Sequence, residues 1–198
     1  MSGALARLAA SVQAEVAASH PDFVVEVHDG TVRLSGRLLL AEGSKVIDSY
    51  DIAVVLPSDY PRGIPDVYEV GGRIPWVVDR HMYPSGRACL FAPGERWRHW
   101  ARGLGMSEFL SGPVRSFFMG QTHFELTGGW LFGERSHGAL GIIEAYSEML
   151  HTTDVPVIVR FIGVLSRRKL RPRSQCPCGS GRAIHSCHMR KLADLRSK

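Results

Sequence analysis

The run FVVEVHDGTVRLSGRLLLAEGSKVIDSYDIAVVLP, residues 23–57, decides the fold. It holds three segments rich in Val, Ile and Leu, separated by two short turn signals. FVVEVH (23–28) ends at Asp29-Gly30, a hairpin-type dipeptide. TVRLSGRLLLA (31–41) sets Val32, Leu34, Leu38 and Leu40 on one face, because strand side chains alternate. Glu42-Gly43-Ser44 turns the chain again, and VIDSYDIAVVLP (46–57) follows. Strands joined by such short loops predict an antiparallel meander. A fourth short strand, DVYEV (66–70), lies inside SDYPRGIPDVYEVGGRIP (58–75), whose prolines exclude helix and central strand elsewhere in that stretch.

Helices are expected on either side. Leu5, Leu8, Val12 and Val16 recur at spacings of three and four, one apolar stripe of a helix over 2–19. Ser2 suits its start, and His20-Pro21 its end, since the residue before proline avoids the helical region. Residues 106–120 predict a second helix with Phe109, Leu110, Val114, Phe117 and Phe118 inward and Ser107 as N-cap. Pro113 predicts a kink or a break in it. THFELTGGWLFGERSHG (122–138) reads as a packed loop. ALGIIEAYSEMLHT (139–152) reads as a helix with Leu140, Ile143, Tyr146 and Leu150 on one side. VPVIVRFIGVL (155–165) fits either a strand or a short helix. SRRKLRPRSQ (166–175) is a basic linker.

Residues 71–100 have little periodicity and hold Trp76, Trp97 and Trp100 of the four tryptophans together with His81 and His99, a texture that in compact domains tends to mark function. At their centre is HMYPSGRACLF (81–91), which holds Cys89, the one cysteine outside the tail. Cys89 fits two roles. It is a nucleophile delivered by the Pro84-Ser85-Gly86 turn, or a small buried strand residue, as free cysteines often are. An unperturbed thiol, with a pKa of about 8.5, is only a few per cent ionised at neutral pH. Arg87, Arg80 or a protonated histidine would raise that fraction. Asp79 and His81 are the candidates for taking a proton in the chemistry, and His81, Tyr83, Ser85 and His99 for supporting an oxyanion.

CPCGSGRAIHSCH (176–188) is the most specific motif. Cys176 and Cys178 flank one residue, and Cys187-His188 follow eight residues later. Three thiolates and an imidazole suit tetrahedral zinc, and Gly179-Ser180-Gly181 permits the turn that folds the two pairs together. His185 is the other candidate for the fourth ligand. So short a segment cannot bury a core of its own, so a structural Zn2+ is expected to hold it. The spacing does not match a C-x-x-C redox pair.

Composition bounds the remainder. Hydrophobic content of 44% with 22% charged residues is that of a globular protein. No apolar run approaches the length of a membrane span. The Ala-rich start is interrupted by Arg7, Gln13 and Glu15 and does not read as a secretory signal. Three clustered cysteines argue against a disulfide framework and for the cytoplasm. Of 24 Lys+Arg and 19 Asp+Glu, residues 160–198 take 11 basic and one acidic, Asp194, leaving 13 basic and 18 acidic in residues 1–159. An acidic body therefore carries a strongly basic tail. That tail implies either an acidic partner or a solvated linker.

The tail motif resembles the SEC-C zinc knuckle, a module appended to many bacterial proteins, which implies docking to protein or ribosomal partners. The body, residues 1–159, resembles the ubiquitin-conjugating (UBC) fold. The residues that carry the likeness are Tyr60-Pro61 with Ile64-Pro65-Asp66-Val67, then His81, then Gly86-Arg87-Ala88-Cys89-Leu90, then Trp97. The resemblance implies an α+β fold in which a four-stranded antiparallel meander is flanked by helices. With the linker 160–175 and the zinc motif 176–198, three segments are expected. The resemblance also implies that Cys89 forms the thioester. One departure stands out. Where the family has His-Pro-Asn, this chain has His81-Met82-Tyr83, so the asparagine thought to support the oxyanion is missing. Bacterial relatives in antiviral defence operons are similar in lacking it, and they carry a segment like TGGWLFGERSHG (127–138), which makes His137 a further candidate, although a packed loop histidine is the favoured reading of it.

In those relatives the cargo is a cGAS/DncV-like nucleotidyltransferase of a cyclic-oligonucleotide anti-phage system, or a ubiquitin-like protein activated by a partner enzyme. The expectation is a conjugating-like transferase that takes a protein C-terminus onto Cys89 and passes it to an amine. No adenylation motif is visible, so a ubiquitin-activating-like enzyme is an expected partner. Two rivals carry different expectations. A catalytically inactive UBC-like adaptor would bind without an adduct, and a cysteine hydrolase would pair Cys89 with His81 or His99.

Overall fold

The computed structural model describes residues 2–91, 100, 104–130 and 138–196. The chain is α+β, and its described residues fall into two compact units, one up to residue 130 and the other from residue 138.

In the first unit a four-stranded antiparallel sheet runs β1 (Val24–His28), β2 (Thr31–Glu42), β3 (Lys45–Val55), β4 (Asp66–Glu69), in that spatial order. The β1–β2 turn is Asp29-Gly30, with φ of 46° and 72°. Two successive left-handed residues give a turn whose twist matches that of paired strands, and Gly30 adopts it without a Cβ clash. Val32, Leu34, Leu38 and Leu40 of β2 are all buried, as their alternation requires, and Tyr50, Ile52 and Val54 of β3 join them.

That face is covered by α1 (Ser2–Val16), which buries Val12 and Val16 and partly buries Leu5 and Leu8. The helix ends at Val16, short of the expected residue 19, where the His20 N–H closes on the Val16 carbonyl at 2.8 Å. Gln13, which interrupts the Ala-rich run, clamps helix to strand. Its amide donates to the Phe23 carbonyl at 3.0 Å and its oxygen accepts from the Val25 N–H at 2.9 Å.

The helix expected over 106–120 is longer and does not break. It comprises α2 (Met106–Phe109), a π-helical turn over Leu110–Val114, and α3 (Arg115–Thr127). Pro113 lies inside the wide turn, where its ring escapes the clash an α turn would impose. Met106, Phe109, Leu110, Val114 and Phe118 are fully buried. Ser107 is not the cap. Gly105 occupies that position, and the Glu15 carboxylate of α1 accepts the Ser107 N–H at 3.1 Å. Residues 122–127, expected as loop, are the last turns of α3, which Gly128 ends.

Those last turns hold because of a charged network. Arg73 reaches both Asp48 oxygens at 2.7 Å and Glu125 at 2.6 Å, and its guanidinium lies over the Tyr50 ring at 4.4 Å. Thr122 donates to Asp48 at 2.7 Å. Arg80 reaches Glu125 at 3.0 Å and Gln121 at 2.9 Å. The hydrogen bonds from Arg73, with help from Thr122 and against the cost of desolvation, hold the Asp48 carboxyl down at about 2. A depressed carboxylate adds stability above its ordinary titration range, and that stability is lost as pH falls through the folded value. Asp48→Asn is therefore expected to cost roughly 1–2 kcal/mol at pH 7. Urea midpoints should converge for the two proteins as pH drops from 4 toward 2. A gap that persists at pH 2 would show that packing, not charge, explains the loss.

The second unit contains α4 (Gly138–Leu150), α5 (Val155–Leu165), a 3-10 turn at Ile184–Ser186 and α6 (Met189–Arg196). The buried face of α4 differs from the expected one. Leu140 is 63% exposed, whereas Gly141, Ala145 and Met149 are buried. Small residues at 141 and 145 allow close approach, so fit decides the face and hydrophobicity alone does not. The open choice at 155–165 resolves as helix. Asp154 caps it, accepting the Val157 N–H at 3.1 Å, and Pro156 sits in the first turn where no N–H is missed. Ile158, Phe161 and Val164 form its buried stripe, so packing outweighs the strand preference of the valines. Residues 160–165 of the expected linker thus belong to α5. No helix among the described residues is long and apolar enough to cross a membrane.

Candidate functional sites at Cys89 and in the tail

Residues 81–89 form a small hairpin docked on β4. Cys89 N–H donates to the His81 carbonyl at 2.8 Å, and Tyr83 N–H to the Arg87 carbonyl at 2.8 Å. The returning arm is stitched to the sheet by the Ala88 N–H on the Val67 carbonyl at 2.8 Å and a bridge between Tyr68 and Arg87. At the tip, Gly86 has φ 78°, and a Cβ there would lie 2.8 Å from the Trp76 ring. Both the conformation and the space select glycine. Met82 and Ala88 anchor the hairpin in the core, leaving Cys89 half-buried between them and the surface.

Among the described residues the thiol has two polar neighbours. Cys89 Sγ lies 3.5 Å from the Tyr83 hydroxyl and 3.6 Å from the Phe91 carbonyl oxygen. The carbonyl can only accept, so it suits the protonated thiol. The hydroxyl can turn and donate, so it suits a thiolate or an oxyanion formed beside the sulfur. Tyr83 is itself braced. The Arg87 guanidinium lies over its ring at 4.4 Å, and Arg87 is held by Asp66 at 2.8 Å. The hydrogen bond to Asp66 raises the Arg87 pKa further, against desolvation, so this charge is permanent.

The expected acid–base residues sit differently. His81 is left-handed at φ 50°, contributes its carbonyl to Cys89, and packs its ring against Trp130 at 4.3 Å. Asp79 is exposed in the short 3-10 turn Val78–Arg80. Arg80 is committed to Gln121 and Glu125 and Arg87 to Asp66, so both charges are used in structure. Ser85 is exposed at the hairpin tip. Trp97, His99 and His137 lie outside the described residues. Sequence reasoning missed two parts. One is the Asp66–Arg87–Tyr83 relay, which needs the β4 pairing to be seen. The other is Glu69, whose buried carboxylate accepts the N–H groups of Gly71 and Arg73 at 2.8 and 3.0 Å and shapes the loop leading to the hairpin.

In the tail, Cys176, Cys178, Cys187 and His188 bring one ligand atom each to within 4.8 Å of the others. His188 Nδ1 lies 3.2 Å from both Cys176 Sγ and Cys187 Sγ, and Cys178 Sγ lies 3.6 Å from Cys187 Sγ. A tetrahedral metal with bonds of about 2.0–2.3 Å has ligand–ligand edges of roughly 3.5–3.8 Å, which these side chains reach with shifts of a few tenths of an ångström from the 3.2 Å pairs, so the cluster is compatible with a metal site. His185 is not among the clustered residues, and its Nδ1 lies 3.0 Å from the Pro172 carbonyl oxygen. Arg182 reaches Cys187 Sγ at 3.5 Å, which puts a positive charge beside the sulfur cluster. The knuckle also has apolar support beyond its own residues. Cys176, Ile184 and Leu192 pack with Phe161 and Val164 of α5.

Comparison of the chain with protein-family models, with curated proteins and with solved structures finds no match.

Proposed function

We propose that the protein is a UBC-like acyl transferase with Cys89 as nucleophile. The observation that carries this reading is the half-buried Cys89 thiol on a hairpin pinned to the last strand of an antiparallel meander, with the braced Tyr83 hydroxyl 3.5 Å away. In the reading, the Cys89 thiolate attacks a protein C-terminal carbonyl already activated as a thioester on a partner enzyme. The partner thiolate leaves and a new thioester forms on Cys89. An amine then attacks that carbonyl, the Cys89 thiolate leaves, an amide remains, and the amine proton passes to solvent or a nearby base. Tyr83 donates to the developing oxyanion, the part the family assigns to asparagine. The cargo is a cGAS/DncV-like nucleotidyltransferase or a ubiquitin-like protein in bacterial anti-phage defence, and an ATP-dependent activating enzyme supplies it. The tail cluster holds a structural Zn2+ through Cys176, Cys178, Cys187 and His188. The ion's chemistry there is to bind thiolates and tie the two ligand pairs together.

Hydrolysis through His81 is the weaker reading, because among the described residues its ring packs on Trp130 and it meets Cys89 through its backbone carbonyl. The test is incubation with cargo, activating enzyme and ATP, resolved on a non-reducing gel. The expected result is an adduct that thiol reductant removes and Cys89→Ala abolishes. An adduct retained in Cys89→Ala, or none with any candidate cargo, would reject the transferase in favour of the adaptor. Cleavage of a conjugate would favour the hydrolase.

A further inference from the structure

The basic stretch read as a linker is a shaped surface. Arg167, Arg168, Lys169 and Arg171 line a concavity of about 470 Å3. All four are exposed, and among the described residues no ion pair reaches any of them. Four cations this close repel one another, so something must hold the backbone that carries them. Arg196 of α6 does so, donating to the carbonyls of Arg167 and Arg168 at 2.5 and 2.8 Å. The far end is tied into the knuckle, where the His185 N–H and ring both meet the Pro172 carbonyl and the Ile184 N–H meets Ser174. The fold therefore concentrates uncompensated positive charge at one place and fixes its shape.

We propose that this concavity binds the phosphodiester backbone of nucleic acid. Three of the four lining cations are guanidinium groups, whose planar fork matches two phosphate oxygens better than an ammonium does. A concave row of charge follows a rod-like polyanion, whereas a flat lipid surface meets it at the rims only. The exposed residues of 166–173 are Ser, Arg, Lys and Pro, with Leu170 half-buried, so there is no apolar wedge for a bilayer. Among the described residues of this unit no Phe, Tyr or Trp ring is exposed, Phe161 being buried and Tyr146 half-buried, so bases have no large stacking platform. Binding is accordingly to backbone, without sequence preference, and steeply salt-dependent. The proposal is independent of the chemistry at Cys89.

The experiment uses the full chain with its metal and a fluorescent duplex of about 20 bp, as DNA and as RNA, in anisotropy titrations at several salt concentrations. Arg167→Ser/Arg168→Ser/Lys169→Ser is compared with a charge-matched control on the first unit, Arg7→Ser/Lys45→Ser/Arg62→Ser. The groove variant is expected to bind about 30-fold or more weakly at low salt, and its log–log salt slope to shrink by about 2.7, or 0.9 for each of three contacts. The control should stay within about threefold. Lys169→Glu, a single change at a solvent-facing position, should weaken binding in the same direction. Metal content and circular dichroism identify any variant that fails to fold. Absence of salt-dependent binding to either duplex, equal loss in groove and control variants, or binding only to vesicles containing about 30% phosphatidylserine would overturn the proposal.

Discussion

Cys89→Ser is expected to convert a transient adduct into one that survives thiol reductant, while slowing its formation by about a thousandfold, roughly 4 kcal/mol of barrier. A thiol supplies a small fraction of thiolate at neutral pH, but a serine hydroxyl needs a base to remove its proton as it attacks. Among the described residues the polar groups next to Sγ are the Tyr83 hydroxyl and the Phe91 carbonyl, and neither is such a base. Oxygen is also the poorer leaving group, so the oxyester should resist aminolysis and onward transfer should cease. The measurement is a reducing gel over a long time course, with cargo, activating enzyme and ATP. Wild-type rates in Cys89→Ser would remove Cys89 from the role of nucleophile.

Removal of the metal should have a comparably large effect in the second unit. Structural zinc sites supply ~10–16 kcal/mol of apparent folding free energy in small peptides. The value here should be smaller, because Phe161, Val164, Ile184 and Leu192 already form an apolar cluster around the knuckle. The protein is expected to carry one equivalent of zinc, released by a strong chelator together with part of the helical circular dichroism. Trypsin should then cut within 166–175, where five Lys and Arg are exposed but the backbone is held through Pro172, Ser174 and Arg196. Cys187→Ser should show the same digestion without chelator. An unchanged digestion pattern after complete metal release would mean that packing alone holds the segment. Ligand thiols must lose protons to bind, so metal affinity should fall as pH drops.

The meander was legible because its signals are local. Asp29-Gly30 fixes a turn, and Val32, Leu34, Leu38 and Leu40 mark one face without reference to anything distant. The Cys/His cluster was legible for the same reason, since its four residues lie within thirteen positions. The helices were less so where distant partners decide. Glu125 extends α3 because Arg73 and Arg80 meet it from another part of the chain, and Glu15 takes the capping role that Ser107 suggested. At Cys89 the sequence gathered many polar residues within reach, but proximity along the chain does not say which way each points. The hairpin turns Tyr83 toward the sulfur and leaves the His81 ring on Trp130. The pairing of Asp66 with Arg87 follows from the strand register and from no motif.

The wide turn around Pro113 has a consequence for how the long helix meets the sheet. Five of its buried residues, Met106, Leu110, Val114, Phe118 and Thr122, recur every four positions. In an uninterrupted α-helix each such step advances about 40° around the axis, so five residues would wind partway round the cylinder. A segment with more residues per turn rewinds part of that drift at its midpoint. The local irregularity thus acts as a phase correction, and a strict four-residue spacing becomes a straight ridge long enough to run the length of the core.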